Sequence, residues 1–230
     1  MRKSVVSDNR RPIKTRSAGW AKDITSKLVA RDISPNQISV ASIGFALLGA
    51  VALSLNAGFI GSVICIIGIQ LRLLCNLFDG MVAIEGGKKS DVGAVYNEFP
   101  DRIADSMLIV ALGYAAGWAD LGWFAALAAV LTAYVRVFAG SVGMQQRFIG
   151  PMAKQHRMAV MTGCLVLNIV EASVWGTHFS MMAGLAVIAF GSVATCFART
   201  QMLVQDMQVF RPDSESQPAQ ADKDATHVDQ

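Results

Sequence analysis

The chain has 230 residues, of which 53% are apolar and 16% charged; the net charge is +3 and the mean hydropathy +0.43. A soluble domain carries roughly 25% charged residues, whereas here the apolar residues lie in uninterrupted blocks with almost all the charge between them. That excludes a water-soluble globule, a disordered chain and a disulfide-stapled secreted scaffold, and leaves an integral membrane protein.

The N-terminal segment, 1–33, is basic and does not read as a signal peptide, because no small-residue cleavage site follows a short apolar run. Within it Trp20, Ile24 and Leu28 recur at spacings of four beside Lys14, Lys22, Lys27 and Arg31. An apolar stripe with cationic flanks predicts an amphipathic helix in the headgroup layer. Ser34-Pro35-Asn36-Gln37 then reads as a helix start, with Ser34 as N-cap, Pro35 at the first helical position and Gln37 closing a capping box.

A spanning helix needs about 20 mostly apolar residues. Six stretches qualify: about Asn36–Asn56, Phe59–Ile84, Gly93–Gly117, Leu121–Met144, Met158–Trp175 and Ser180–Met202. Backbone groups in lipid must bond within their own segment, so these runs predict helices. The expected fold is all-α: a polytopic bundle over 34–205, followed by a polar, disordered tail over 206–230. Cys65, Cys75, Cys164 and Cys196 stand singly in apolar stretches and read as small buried residues, not as zinc ligands.

Of the 20 Lys and Arg, those from Arg2 to Arg31 precede the first span, and the rest gather at the same side of the expected membrane. Lys88 and Lys89 lie between spans two and three; Arg147, Lys154 and Arg157 lie in a loop before span five. The opposite loops, around Ala57, Trp118 and Gly176, hold none. The positive-inside rule then places both termini in the cytoplasm, with the protein in the cell (inner) membrane and lipids rather than nucleic acid as its surroundings.

Ionisable groups inside spans are costly and mark function. Asn76 and Asp79 close span two on one helix face, and Asn97, Asp101 and Asp105 open span three at spacings of four, with Glu98 beside them. Oxygen-only donors select hard cations such as Mg²⁺, Mn²⁺ or Ca²⁺. Gly80, Ala83 and Gly93 offer bare backbone for a bulky phosphate or nucleotide. Phosphoryl-type transfer, an ion-pair network with Arg72 and Arg102, and a cation-conducting site all fit these residues.

The string Asn76-x2-Asp79-Gly80-x2-Ala83-Ile84-x8-Gly93-x3-Asn97-x3-Asp101 resembles the motif of the CDP-alcohol phosphatidyltransferases, D-x2-D-G-x2-A-R-x8-G-x3-D-x3-D, in every spacing. The Ser34–Ser39 element is similar to that family's entry into its first span. Three positions depart: Asn76 and Asn97 replace the first and third aspartates, and Ile84 replaces the arginine. The arrangement resembles that of a bacterial branch of the family.

The resemblance implies that Asn76, Asp79 and Asn97 are metal ligands and that Asp101 is the base that deprotonates the acceptor alcohol while sharing the metal. Glu98 and Asp105 are added as ligands that would restore the missing charge. Gly80, Ala83 and Gly93 would make room for the nucleotide. The implied reaction moves a phosphatidyl group from CDP-diacylglycerol, or a related CDP-lipid, to a small alcohol with release of CMP, in a homodimer that uses Mg²⁺ or Mn²⁺. Arg147, Lys154 and Arg157, in a G-P-M-x-K-x-x-R element, are expected to bind a phosphorylated acceptor. The alternative is a catalytically silent relative that binds lipid or metal.

Overall fold

The computed structural model describes residues 18–88 and 92–209; the cations before residue 18 and the predicted polar tail from 210 onward lie outside them. The described residues form seven helices and no strand: α1 (Gly19–Ala30), α2 (Pro35–Leu55), α3 (Phe59–Glu85), α4 (Gly93–Ala115), α5 (Ala119–Ser141), α6 (Lys154–Val174) and α7 (Phe179–Val209). The fold is the expected all-α, multi-pass bundle. Five helices (α2, α3, α5, α6 and α7) are long and apolar enough to cross a membrane. In α4 the six-span expectation meets Glu98, Asp101, Arg102 and Asp105, which crowd its first half.

The predicted start of the bundle is present in atomic detail. Ser34 Oγ accepts from Gln37 N at 3.2 Å, and Gln37 Oε1 accepts from Ser34 N at 2.9 Å, so two orphan amides of α2 are satisfied. Helix α1 lies against α3 through its small residues, burying Ala21 and Thr25 beside Phe78, Met81 and Val82. Trp20 meets Phe78 edge-on at 6.2 Å, while Trp20 and Ile24 keep exposed faces. The stripe of Trp20 and Ile24 therefore looks outward and the small side chains inward. Lys88 pairs with Asp32 across the α1–α2 link, and its ammonium holds that carboxyl below the usual carboxylate range.

Two boundaries differ most from the sequence reading. Helix α6 begins at Lys154 rather than Met158, because Ala153 is extended and ends the Gly150-Pro151 turn. Lys154 and Arg157 are thus first-turn helical residues, not loop residues. Helix α7 continues past 205 to Val209, and Asp206 on it pairs with Arg147 at 2.9 Å.

Helices in lipid associate by close packing of small residues. A Cβ on Gly68 would stand 2.6 Å from the Phe45 carbonyl oxygen, which sets the α2–α3 contact. One on Gly113 would stand 2.6 Å from Gly122 Cα, so α4 and α5 touch backbone to backbone. Gly113→Val is expected to cost about 1–3 kcal/mol by overpacking this contact; a thermal unfolding midpoint in detergent equal to wild type would refute it. Between the helices Leu53, Ile69, Leu108, Leu112, Met161, Leu165 and Leu185 form a fully buried apolar layer.

The end away from the acidic residues is closed by side-chain amides and a carboxylate. Asn168, 0% exposed, donates to the Ala57 carbonyl at 2.7 Å and to Ser62 Oγ at 2.9 Å, and its Oδ1 meets His178 Nδ1 at 2.8 Å. Glu171 accepts from Thr177 Oγ1 and from the backbone amides of Phe179 and Ser180, and so caps the start of α7.

Candidate functional site

The acidic residues occupy the C-terminal half of α3 and the first half of α4. On α3, Asp79 is buried and accepts from Ser39 Oγ of α2 at 2.8 Å. One turn earlier, Asn76 carries a buried Nδ2 with no hydrogen-bond partner. On α4, the residues spaced by four descend from surface to core: Asn97 is exposed, Asp101 is buried at the rim, and Asp105 is 2% exposed. A residue four on in a helix lies about 6 Å deeper, which takes the same face from water to the interior.

Cations meet the carboxylates of α4. Arg72, 0% exposed, donates to Asp105 Oδ1 at 2.5 Å and to Asp101 Oδ1 at 3.4 Å, with a further contact to Met158 Sδ at 3.0 Å. Arg157, 1% exposed, donates to the other Asp105 oxygen at 2.9 Å and to the Met152 carbonyl at 2.8 Å. Asp105 therefore gives one oxygen to each of two buried guanidiniums, from α3 and α6. Lys154 pairs with Asp101 Oδ1, and Arg102 stands 3.8 Å from Asp101 Oδ2 and from Glu98 Oε2. Arg136 of α5 pairs with Glu98, donates to Gln146 Oε1 at 2.8 Å and lies over the Phe148 ring. Buried charges persist only when paired in this way.

The structure brings Asp79, Asp101 and Lys154 within electrostatic range of one another, with Asn76 on the same face as Asp79. Gly80 and Ala83 follow Asp79 on α3 and Gly93 opens α4, and all three are half-buried. Glu98 and Asp105 turn instead to arginines, and Arg147 points to Asp206, away from the acidic face. Among the described residues no three His, Cys, Asp or Glu side chains gather as a ready-made metal cage. The sequence reading gave no site role to Ser39, Thr132, Arg136, Gln146 or Arg199. Arg199 donates to the Ile149 carbonyl at 2.9 Å and to the Thr132 carbonyl at 2.6 Å, fixing the turn that presents Lys154. Arg136 and Arg199 carried a signal, since both are arginines within long apolar runs.

An all-helical multi-pass bundle, with carboxylates from two consecutive helices set among buried guanidiniums at one end, defines a membrane protein with a polar site reached from one side. No family model matches the chain. In fold it is similar to phosphatidylinositol phosphate synthase (PgsA1) of Mycobacterium tuberculosis. Against that protein with CDP-DAG bound, the TM-score is 0.68 at 19% identity, over 81% of this chain and 94% of the other. Against the complex with manganese and citrate it is 0.64 at 19% identity, over 80% and 88%. Against the apo form it is 0.65 at 18% identity, over 82% and 98%. In sequence it is 27% identical over 134 residues to the inner membrane protein YnbA of Escherichia coli K12, covering 58% of this chain and 67% of that protein.

Proposed function

We propose that the chain is a CDP-alcohol phosphatidyltransferase of the bacterial branch with asparagine at the first and third motif positions. It moves a phosphatidyl group from CDP-diacylglycerol, or a related CDP-lipid, to a small alcohol, phosphorylated or plain, and releases CMP in phospholipid synthesis. The observation that carries this reading is that Asp79, buried on α3, and Asp101, at the rim of α4 where Lys154 pairs with it, are the two aspartates retained in the motif and lie within electrostatic range of each other. The likeness in fold to a synthase crystallised with CDP-DAG supports it.

The residues present suit a hard divalent ion because the donors are all oxygens, while the partnerless buried Nδ2 of Asn76 is a hydrogen-bond donor that suits a phosphate oxygen of the CDP-lipid. Asp79, Asp101, Asn76 and Asn97 would hold Mg²⁺ or Mn²⁺, which when bound neutralises the pyrophosphate and stabilises the leaving CMP. Glu98 and Asp105 were expected as further ligands; we assign them to the arginine frame that their oxygens already hold. Asp101 stands at the rim, where a hydroxyl can reach it. It takes the acceptor proton as the oxygen attacks the phosphorus nearest the diacylglycerol and the bond from that phosphorus to CMP breaks. Gly80, Ala83 and Gly93 leave room for the nucleotide. Lys154 stands on Asp101 at the rim, where a phosphate-bearing acceptor can meet it, whereas Arg157, expected beside it, is held on Asp105 and Arg147 on Asp206, so we assign those two to the supporting frame.

We further infer an inner-membrane protein with both termini cytoplasmic, α1 at the lipid headgroups, a transferase unit over 34–205 and a homodimeric assembly. The test is the full chain purified in micelles with CDP-diacylglycerol and a panel of phosphorylated and plain alcohols. CMP is expected only with a particular acceptor, and EDTA is expected to stop its release. A second reading, a catalytically silent lipid- or metal-binding relative, is favoured by the two asparagines and by the cations resting on Asp101. Absence of CMP with every acceptor would establish it over the first.

A further inference from the structure

We propose that Lys154 is the resident counter-cation of the metal position: its ammonium neutralises Asp101 until a divalent ion displaces it. This rests on the metal-dependent reading above.

Three cations touch Asp101, and they differ in freedom. Arg72 is fully buried and shared with Asp105 and Met158, so it cannot leave without breaking a second buried ion pair. Arg102 stands at 3.8 Å and is shared with Glu98. Lys154 is a point charge on a rotatable four-carbon stem. Its side chain is 23% exposed, and it begins α6 directly after the Gly150-Pro151 turn. The same ammonium lies within electrostatic range of Asp79, so it serves the two carboxylates that a metal ion would serve. A divalent ion and an ammonium on one carboxylate oxygen repel strongly at that separation. One must go, and the lysine is the cation built to move.

The experiment measures Mn²⁺ affinity of the full chain in micelles by calorimetry, without lipid or turnover. Lys154→Met is expected to bind Mn²⁺ about tenfold more tightly, because the competitor is gone. Arg147→Met removes a cation from the neighbouring loop, where it pairs with Asp206, and is expected to leave the affinity within about twofold, since an exposed charge farther off is screened. In the wild type, labelling of Lys154 by an amine-reactive reagent, read by mass spectrometry, is expected to rise when Mn²⁺ is added. Equal Mn²⁺ affinity in wild type and Lys154→Met overturns the lysine exchange and leaves the metal centre standing. Equal tightening by both substitutions also overturns it, as a diffuse field effect. Mn²⁺ binding to neither protein overturns the exchange together with the metal-dependent reading. If Lys154→Met does not fold, Lys154→Gln and the wild-type labelling decide, and unchanged labelling overturns the proposal.

Discussion

Asp105→Asn is expected to destabilise the bundle by about 3–5 kcal/mol, the cost of leaving buried charge uncompensated. The carboxylate stands between Arg72 and Arg157, and each of those guanidiniums also has a buried Nε without a partner. Their one shared anion therefore carries most of the compensation, and an amide replaces an acceptor with a donor on one side. Measured against the roughly 5–15 kcal/mol that holds a typical domain together, this loss is severe. Thermal unfolding in detergent should show a large drop in midpoint, with aggregated protein on size exclusion. Adding Arg157→Met should recover part of it, since a buried cation then leaves with its anion. A single variant that melts like wild type would remove Asp105 from the frame that supports the site.

Asp101→Asn is expected to do the reverse: little harm to the fold and near-complete loss of turnover. Its carboxylate is at the rim, and Arg72 and Lys154 each keep other charged or polar neighbours. The amide matches the carboxylate in volume but cannot take a proton. Loss of a positioned general base lowers the rate by roughly 10²–10⁴, which release of CMP at saturating CDP-lipid and acceptor would report. Turnover within a few-fold of wild type would move the base role to another group.

The fold was legible where local physics decides it. Unbroken apolar runs required helices, and the Ser34–Gln37 capping box is present as read. The start of α6 was not legible, because Lys154 and Arg157 looked like loop cations when judged by hydropathy alone. Their partners, Asp101 and Asp105, lie far away in sequence on α4, and only the packed bundle shows that both charges belong in a helix. The candidate site divides in the same way. Spacing placed Asn97, Asp101 and Asp105 on one face, and they do share it. Spacing could not give their depth, nor foresee that Arg136 and Arg157 would arrive from α5 and α6 to take Glu98 and Asp105. A helical face tells which residues line up, whereas burial and long-range partners tell which of them stay available.

The opposite end of the bundle has its own consequence. Beyond Asp105 come Leu108, Leu112, Ile69, Met161 and Leu165, without exposed surface, and then Asn168, whose amide is saturated by Ala57, Ser62 and His178. Among the described residues this apolar layer stands between the carboxylates of α3 and α4 and the amide of Asn168. An ion gradient across the bilayer is then expected neither to drive events at the site nor to leak through it.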